Sequence, residues 1–149
     1  MGKIMSLYSS KDFGRTQRVP TCEVPDRLHH PQLENTGEDE KFSSERKHPV
    51  FVADLPSRTM SMTIGHLAAG ESTRKHRHTY ETMIYIIDGQ GRTYVEDRVV
   101  EWKSGDAIYV PVWAWHFHEN TGKDLARYVA CENAPLLQNL GGIALREEA

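Results

Sequence analysis

Cysteine is scarce in this 149-residue chain. Cys22 and Cys131 are too few for a disulfide framework or a thiolate-ligated zinc site, which fits a reducing cytoplasm. A basic excess is missing as well: 18 Lys and Arg stand against 21 Asp and Glu, a net charge of −3 with nothing spare to neutralise phosphates. Nucleic acid is therefore not an expected partner. No apolar run approaches the roughly 20 residues that cross a bilayer, and residues 1–10 lack the apolar centre of a secretion signal. The expectation is a cytoplasmic protein without a membrane partner. A Walker loop, a Rossmann glycine fingerprint and a Gly-x-Ser-x-Gly elbow are also missing, which removes phosphoryl transfer, dinucleotide chemistry and α/β-hydrolase catalysis.

What is present is enough for one globular domain, with 38% hydrophobic and 26% charged residues in a chain long enough to build a core without disulfides. Residues 1–48 are polar, interrupted by Pro20, Pro25 and Pro31, and show neither a helical stripe nor alternation. They read as an arm. Residues 35–47 carry too few apolar groups to offset the entropy of ordering alone, so this stretch is mobile or lies on something, a neighbouring subunit's sheet included. Residues 49–149 form the folded domain. Short Val-, Ile-, Tyr- and Thr-rich runs predict strands at 50–53, 60–67, 82–87, 92–95, 99–102, 107–110, 116–119 and 125–131. Turn residues such as Asp88-Gly89 and Ser104-Gly105-Asp106 separate them. That texture predicts an all-β barrel or sandwich. The tail from 135 to 149 hints at a helix or an apolar strap, with Gly141-Gly142 against a long helix.

Four histidines fall in two pairs, His76-Arg77-His78 and His116-Phe117-His118. On a strand, side chains at i and i+2 share a face, so each pair presents two imidazoles to one place. Neutral imidazole nitrogens suit iron, copper, nickel and zinc alike. His29, His30, His48 and His66 are expected to be solvated.

The flanks of these pairs narrow the reading. Gly70 precedes His76-Arg77-His78, and Gly89 ends the next strand; Gly105 precedes Pro111-Val112-Trp113, then His116 and Asn120. These segments resemble the two motifs of the cupin superfamily. The resemblance implies a jelly-roll (double-stranded β-helix) barrel holding a metal on His76, His78 and His116. Most cupins place a glutamate four residues after the second histidine, where this chain has Thr82. Alternation from His78 sends Tyr80, Thr82, Ile84 and Ile86 inward and Glu81, Met83, Tyr85 and Ile87 outward, unless a β-bulge turns Glu81 into a fourth ligand. A three-histidine shell is similar to that of ferrous ring-cleaving cupins related to gentisate 1,2-dioxygenase. The segments 113–120 and 132–141 look like the corresponding ones there.

The resemblance implies a metal-dependent dioxygenase, with Fe(II) first and Zn, Ni, Mn or Cu as the other metals. It would take a small aromatic or enolisable chelating substrate and O2. His118 and Tyr80 are the candidates for moving protons. Thr82 and Trp113 are candidates for lining the substrate pocket. An aromatic carboxylate needs an arginine in a low-dielectric pocket, and Arg92, Arg127 and Arg74 are the candidates. Two other readings stand beside this one: a non-oxidative metal cupin (lyase, isomerase or hydrolase), and a small-molecule binding cupin without catalysis. Because residues 82–87 are apolar on both faces, something must cover the outside, and a homodimer is expected.

Overall fold

A computed structural model describes residues 21–149. The expectations for the secretion signal and for the first stretch of the arm lie outside the described residues. Within them the order is α1 (Leu33–Thr36), α2 (Glu40–Arg46), β1 (Val50–Val52), β2 (Ser61–Leu67), β3 (His76–His78), β4 (Thr82–Asp88), β5 (Gln90–Val95), β6 (Arg98–Lys103), β7 (Ala107–Val110), β8 (His116–Asn120), β9 (Ala126–Glu132), α3 (Ala134–Asn139) and β10 (Arg146–Glu148). The strands form two five-stranded antiparallel sheets, β1-β2-β9-β4-β7 and β10-β3-β8-β5-β6. This is the expected all-β jelly-roll.

The alternation on β4 is realised residue by residue. Thr82, Ile84 and Ile86 are buried while Met83, Tyr85 and Asp88 are exposed. Ile84 and Ile86 join Leu67, Trp102, Ile108, Val110, Ala126 and Ala130 in the core. Burial of such side chains contributes roughly 1.5–3 kcal/mol each, which commits the strand to one face. Gly91 is required where the Trp102 ring crosses β5, since a Cβ there would overlap both the indole and the Glu119 carbonyl.

Two expectations that the sequence left open are decided. Residues 35–47 are ordered, because they dock on the chain's own sheet rather than standing alone. Asp39 caps α2 by accepting from the Phe42 amide (2.9 Å), the Asp39 amide donates to the Val50 carbonyl (3.2 Å), and Glu38 makes an isolated bridge to Phe51. The tail is a short helix followed by a strand, not an apolar strap. Leu136, Leu140, Ile143 and Leu145 are exposed, and it is Arg146–Glu148 that adds to β3 as an edge strand through its backbone.

Candidate metal centre

The short strand β3 and the start of β8 pair at a single register position, His76 opposite His116, and this brings the two histidine motifs together. The ring centroids of His76 and His116 lie 4.2 Å apart, those of His78 and His116 4.8 Å. One ligand atom from each of His76, His78 and His116 falls within 4.8 Å of the others. The hydrogen bonds choose the tautomer. Each Nδ1–H donates to a backbone carbonyl two residues away: His76 to Arg74 (2.7 Å), His78 to Tyr80 (2.7 Å) and His116 to Ala114 (2.9 Å). A carbonyl only accepts, so all three Nε2 atoms are left with free lone pairs. Burial lowers the pKa of each ring, to about 4 for His76 and for His78. Three neutral, pre-oriented nitrogen donors fit a divalent first-row cation.

Glu81 is not a fourth ligand. It is exposed, and its Oε1 accepts from the Tyr109 hydroxyl (2.6 Å) on the outer face. β3 ends at His78, and Thr82 is the first inward residue of β4. A carboxylate nevertheless faces the cavity from the strand beside it. Glu132 pairs with Thr82 across β4 and β9, and the Thr82 hydroxyl donates to its Oε1 (3.3 Å). Burial pushes the Glu132 carboxyl up, against smaller opposing effects of Arg46 and the Thr82 hydroxyl. It falls outside the cluster of metal-ligand atoms.

The other sequence candidates divide. His118 lines the cavity beside the three histidines, its ring 5.8 Å from that of His116. Thr93 Oγ1 lies 2.8 Å from its Nδ1 and accepts from Trp102 Nε1–H (2.9 Å). Tyr80 lies behind His78, stacked on it at 3.9 Å with planes 1° apart, and burial pushes its phenol up to about 12. It supports the ligand ring and does not line the cavity.

Arg92, Arg127 and Trp113 are corrected, because none of them lines the cavity. Arg92 points outward from β5, next to the inward Thr93, and pairs with Glu101. Arg127 points outward from β9 and holds Glu34 and Asp88. Trp113, at a left-handed φ of 62°, and Trp115 each lie 4.4 Å from the Arg77 guanidinium, which occupies both indoles away from the cavity.

Arg74 does reach the cavity, where it is tied to Glu148 (2.8 Å). Arg146, also at the cavity, shares Glu148. Sequence reasoning missed Arg146 and also Arg46, the last residue of α2. Arg46 lines the cavity, its guanidinium packs 5.2 Å from the Phe42 ring, and among the described residues no carboxylate lies within salt-bridge distance of it. His48 is corrected too. It is buried, not solvated, held between the Arg46 carbonyl and the Tyr128 hydroxyl.

Two antiparallel sheets closed around inward imidazoles from two separate motifs resemble a cupin domain, and residues 63–131 match the Cupin domain family. Within that class the chain resembles ring-cleaving enzymes. It is 37% identical over 91 residues to 5-aminosalicylate 1,2-dioxygenase from Comamonas sp, covering 61% of this chain and 24% of that protein. It is 28% identical over 115 residues to 5-nitrosalicylic acid 1,2-dioxygenase from Bradyrhizobium sp, covering 70% and 56%. The chain thus spans about a quarter to a half of the length of these relatives. Among solved structures, a variant of salicylate 1,2-dioxygenase from Pseudoaminobacter salicylatoxidans superposes with a TM-score of 0.70 at 20% identity, over 87% of this chain and 42% of that one. That likeness carries the fold.

Proposed function

We propose that this chain is an Fe(II)-dependent dioxygenase that cleaves a small aromatic substrate bearing a carboxylate beside a hydroxyl or amino group. The observation that carries the reading is one cavity holding three convergent Nε2 lone pairs together with the guanidinium of Arg46, which among the described residues has no carboxylate within salt-bridge distance. The relatives' action on substituted salicylates supports the substrate class. Zn, Ni, Mn and Cu fit the same ligands and are the alternatives that metal analysis separates from iron.

His76, His78 and His116 would hold the metal, which when bound supplies a Lewis-acidic, redox-active centre open to a chelating substrate and O2. The remaining work falls to the chain's own side chains. Arg46 pairs with the substrate carboxylate, a charge-assisted contact that fixes the ring's orientation. Val50, Ile84 and Ala130 line the cavity with apolar surface that limits water. His118 presents a ring nitrogen to an anionic oxygen of the ligand. Glu132, with its carboxyl raised by burial, exchanges a proton with a substrate hydroxyl. Tyr80 acts through His78 as a positioning residue.

Anaerobic loading with Fe(II), then addition of salicylate, gentisate or 5-aminosalicylate in air, should give stoichiometric oxygen uptake, and His76→Ala should abolish it. Failure of the iron-loaded protein to consume oxygen with the whole panel overturns the proposal. Native zinc, nickel or manganese in place of iron would then favour the non-oxidative reading.

Residues 1–48 are assigned as an arm and 49–149 as the cupin domain. Met62, Cys131, Met83 and Tyr109 stand in register across β2, β9, β4 and β7 on the outer face, with Met83 65% and Tyr109 51% exposed. A second copy covering this row makes a homodimer, and a monomer by light scattering at low micromolar concentration refutes it.

A further inference from the structure

Arg46 ends α2, and the carbonyls of a helix's last turn have no partner within the helix. Lys47 follows in the left-handed region at φ 61°, which turns the chain back and drives His48 under the helix end. There His48 Nδ1 lies 3.0 Å from the Arg46 carbonyl oxygen and His48 Nε2 lies 2.9 Å from the Tyr128 hydroxyl. The carbonyl can only accept, so Nδ1 carries the proton, Nε2 is a bare lone pair, and the Tyr128 hydroxyl must be the donor. The direction of both hydrogen bonds is therefore set.

The far end of this chain of contacts is equally fixed. Tyr128 sits opposite Gly65 in the β2–β9 register, and a Cβ on Gly65 would overlap the Tyr128 ring and hydroxyl. Only glycine leaves room for the phenol to reach His48. The start of α2 is tied down separately, by Asp39 and by the Val50 amide, which donates to Ser43 Oγ (2.9 Å). His48 and Tyr128 thus hold the one turn from which the Arg46 side chain enters the cavity.

We infer that His48 and Tyr128 are a positioning pair that aims Arg46, so that the chain's preference for a carboxylate-bearing ligand is set from β9 through a buried imidazole to the arm. The inference rests on the reading of Arg46 as the carboxylate's partner. A ligand that chelates a metal without a carboxylate does not use Arg46 and is indifferent to the pair.

Calorimetric titration of the iron-loaded protein under argon tests this, with salicylate as the carboxylate probe and catechol as the chelating control. Arg46→Ala should weaken salicylate by about tenfold or more, the scale of a lost charge-assisted contact, and leave catechol within about twofold. Tyr128→Phe and His48→Ala should each weaken salicylate by roughly threefold to tenfold and spare catechol, as expected for one lost neutral hydrogen bond acting through Arg46. In the Arg46→Ala background Tyr128→Phe should have no further effect.

Equal loss of both ligands in Tyr128→Phe and His48→Ala, no loss of salicylate in either, or an undiminished Tyr128→Phe effect without Arg46 overturns the pairing. Unchanged salicylate affinity in Arg46→Ala overturns the role of Arg46 itself, and the pairing with it. A parent protein that binds neither probe overturns the proposed function.

Discussion

Thr93 Oγ1 lies 2.8 Å from Nδ1 of His118 at the cavity wall. The same oxygen accepts from Trp102 Nε1–H (2.9 Å), and among the described residues its own hydroxyl proton has only the imidazole to go to. The hydroxyl therefore donates to Nδ1, and His118 carries its proton on Nε2. A fixed neutral N–H donor is what an anionic ligand oxygen requires, with no reorganisation on binding. Thr93→Val should release the tautomer, visible in nitrogen-15 spectra of histidine-labelled protein, and lower turnover about tenfold to a hundredfold, the range for residues that orient a site. Thr93→Ser should restore both. An Nδ1–H tautomer in the parent protein would refute the assignment.

The metal ligands impose a pH dependence whose sign follows from burial. His76 and His78 have an ordinary value of 6.5 and are held down at about 4 in the fold. Between those values the unfolded chain binds protons that the folded chain refuses. The stability contribution is thus complete above about 6.5, is lost as pH falls through the window, and stops changing below about 4. Metal binding needs the same neutral rings and should weaken in the same direction. Thermal melts of chelator-treated protein at pH 7.5 and 4.5 check this, and an unchanged melting temperature across the window contradicts it.

Glu132 works with the opposite sign. Its carboxyl is raised above the ordinary 4.5, first by burial, so the folded chain holds its proton more firmly than the unfolded one. Its contribution is complete below 4.5 and is lost as pH rises through the raised folded value, because ionising a buried carboxyl costs stability. Glu132→Gln keeps an oxygen for the Thr82 hydroxyl and removes the charge. The variant should melt higher than the parent at pH 8 and alike at pH 4, while losing the proton exchange with substrate. A parent more stable than the variant at pH 8 would show that Glu132 is compensated by another cation.

The sequence made visible the parts whose geometry is local. The i, i+2 spacing of His76/His78 and His116/His118 places imidazoles on one face of any strand, and the alternation from Thr82 to Ile86 follows from burial on one side. Glu132 is a near miss: the inward series Tyr128, Ala130, Glu132 continues one residue past the predicted end of that strand at 131. β10 leaves no apolar signal, because Arg146–Glu148 joins β3 through its backbone and through the ion pairs Arg77–Glu147 and Arg74–Glu148. Arg46 and His48 were hidden for a different reason. The helix that ends at Arg46 is polar, and the hydrogen bond that buries His48 joins residues 80 positions apart.

The docking of the arm has its own fastening on the outer surface. Glu34 of α1 accepts from Arg127 Nη1 (2.7 Å) and from His66 Nε2 (2.7 Å), while Arg127 also holds Asp88 at 2.7 Å. The Arg127 guanidinium, then His66, keep the Glu34 carboxyl below its ordinary 4.5, so the fastening is complete above that value and fails as pH falls below it. Partly exposed ion pairs are worth no more than about 1 kcal/mol each, too little to decide whether the barrel folds but enough to shift a short docked segment. Glu34→Ala should leave the barrel's melting temperature within a few degrees of the parent. It should also speed proteolytic cleavage within residues 33–48 and weaken salicylate, because Arg46 leaves the cavity with the helix that carries it. Cleavage and affinity equal to the parent's would mean that the contacts of Asp39 and Ser43 with Val50 hold the arm without help.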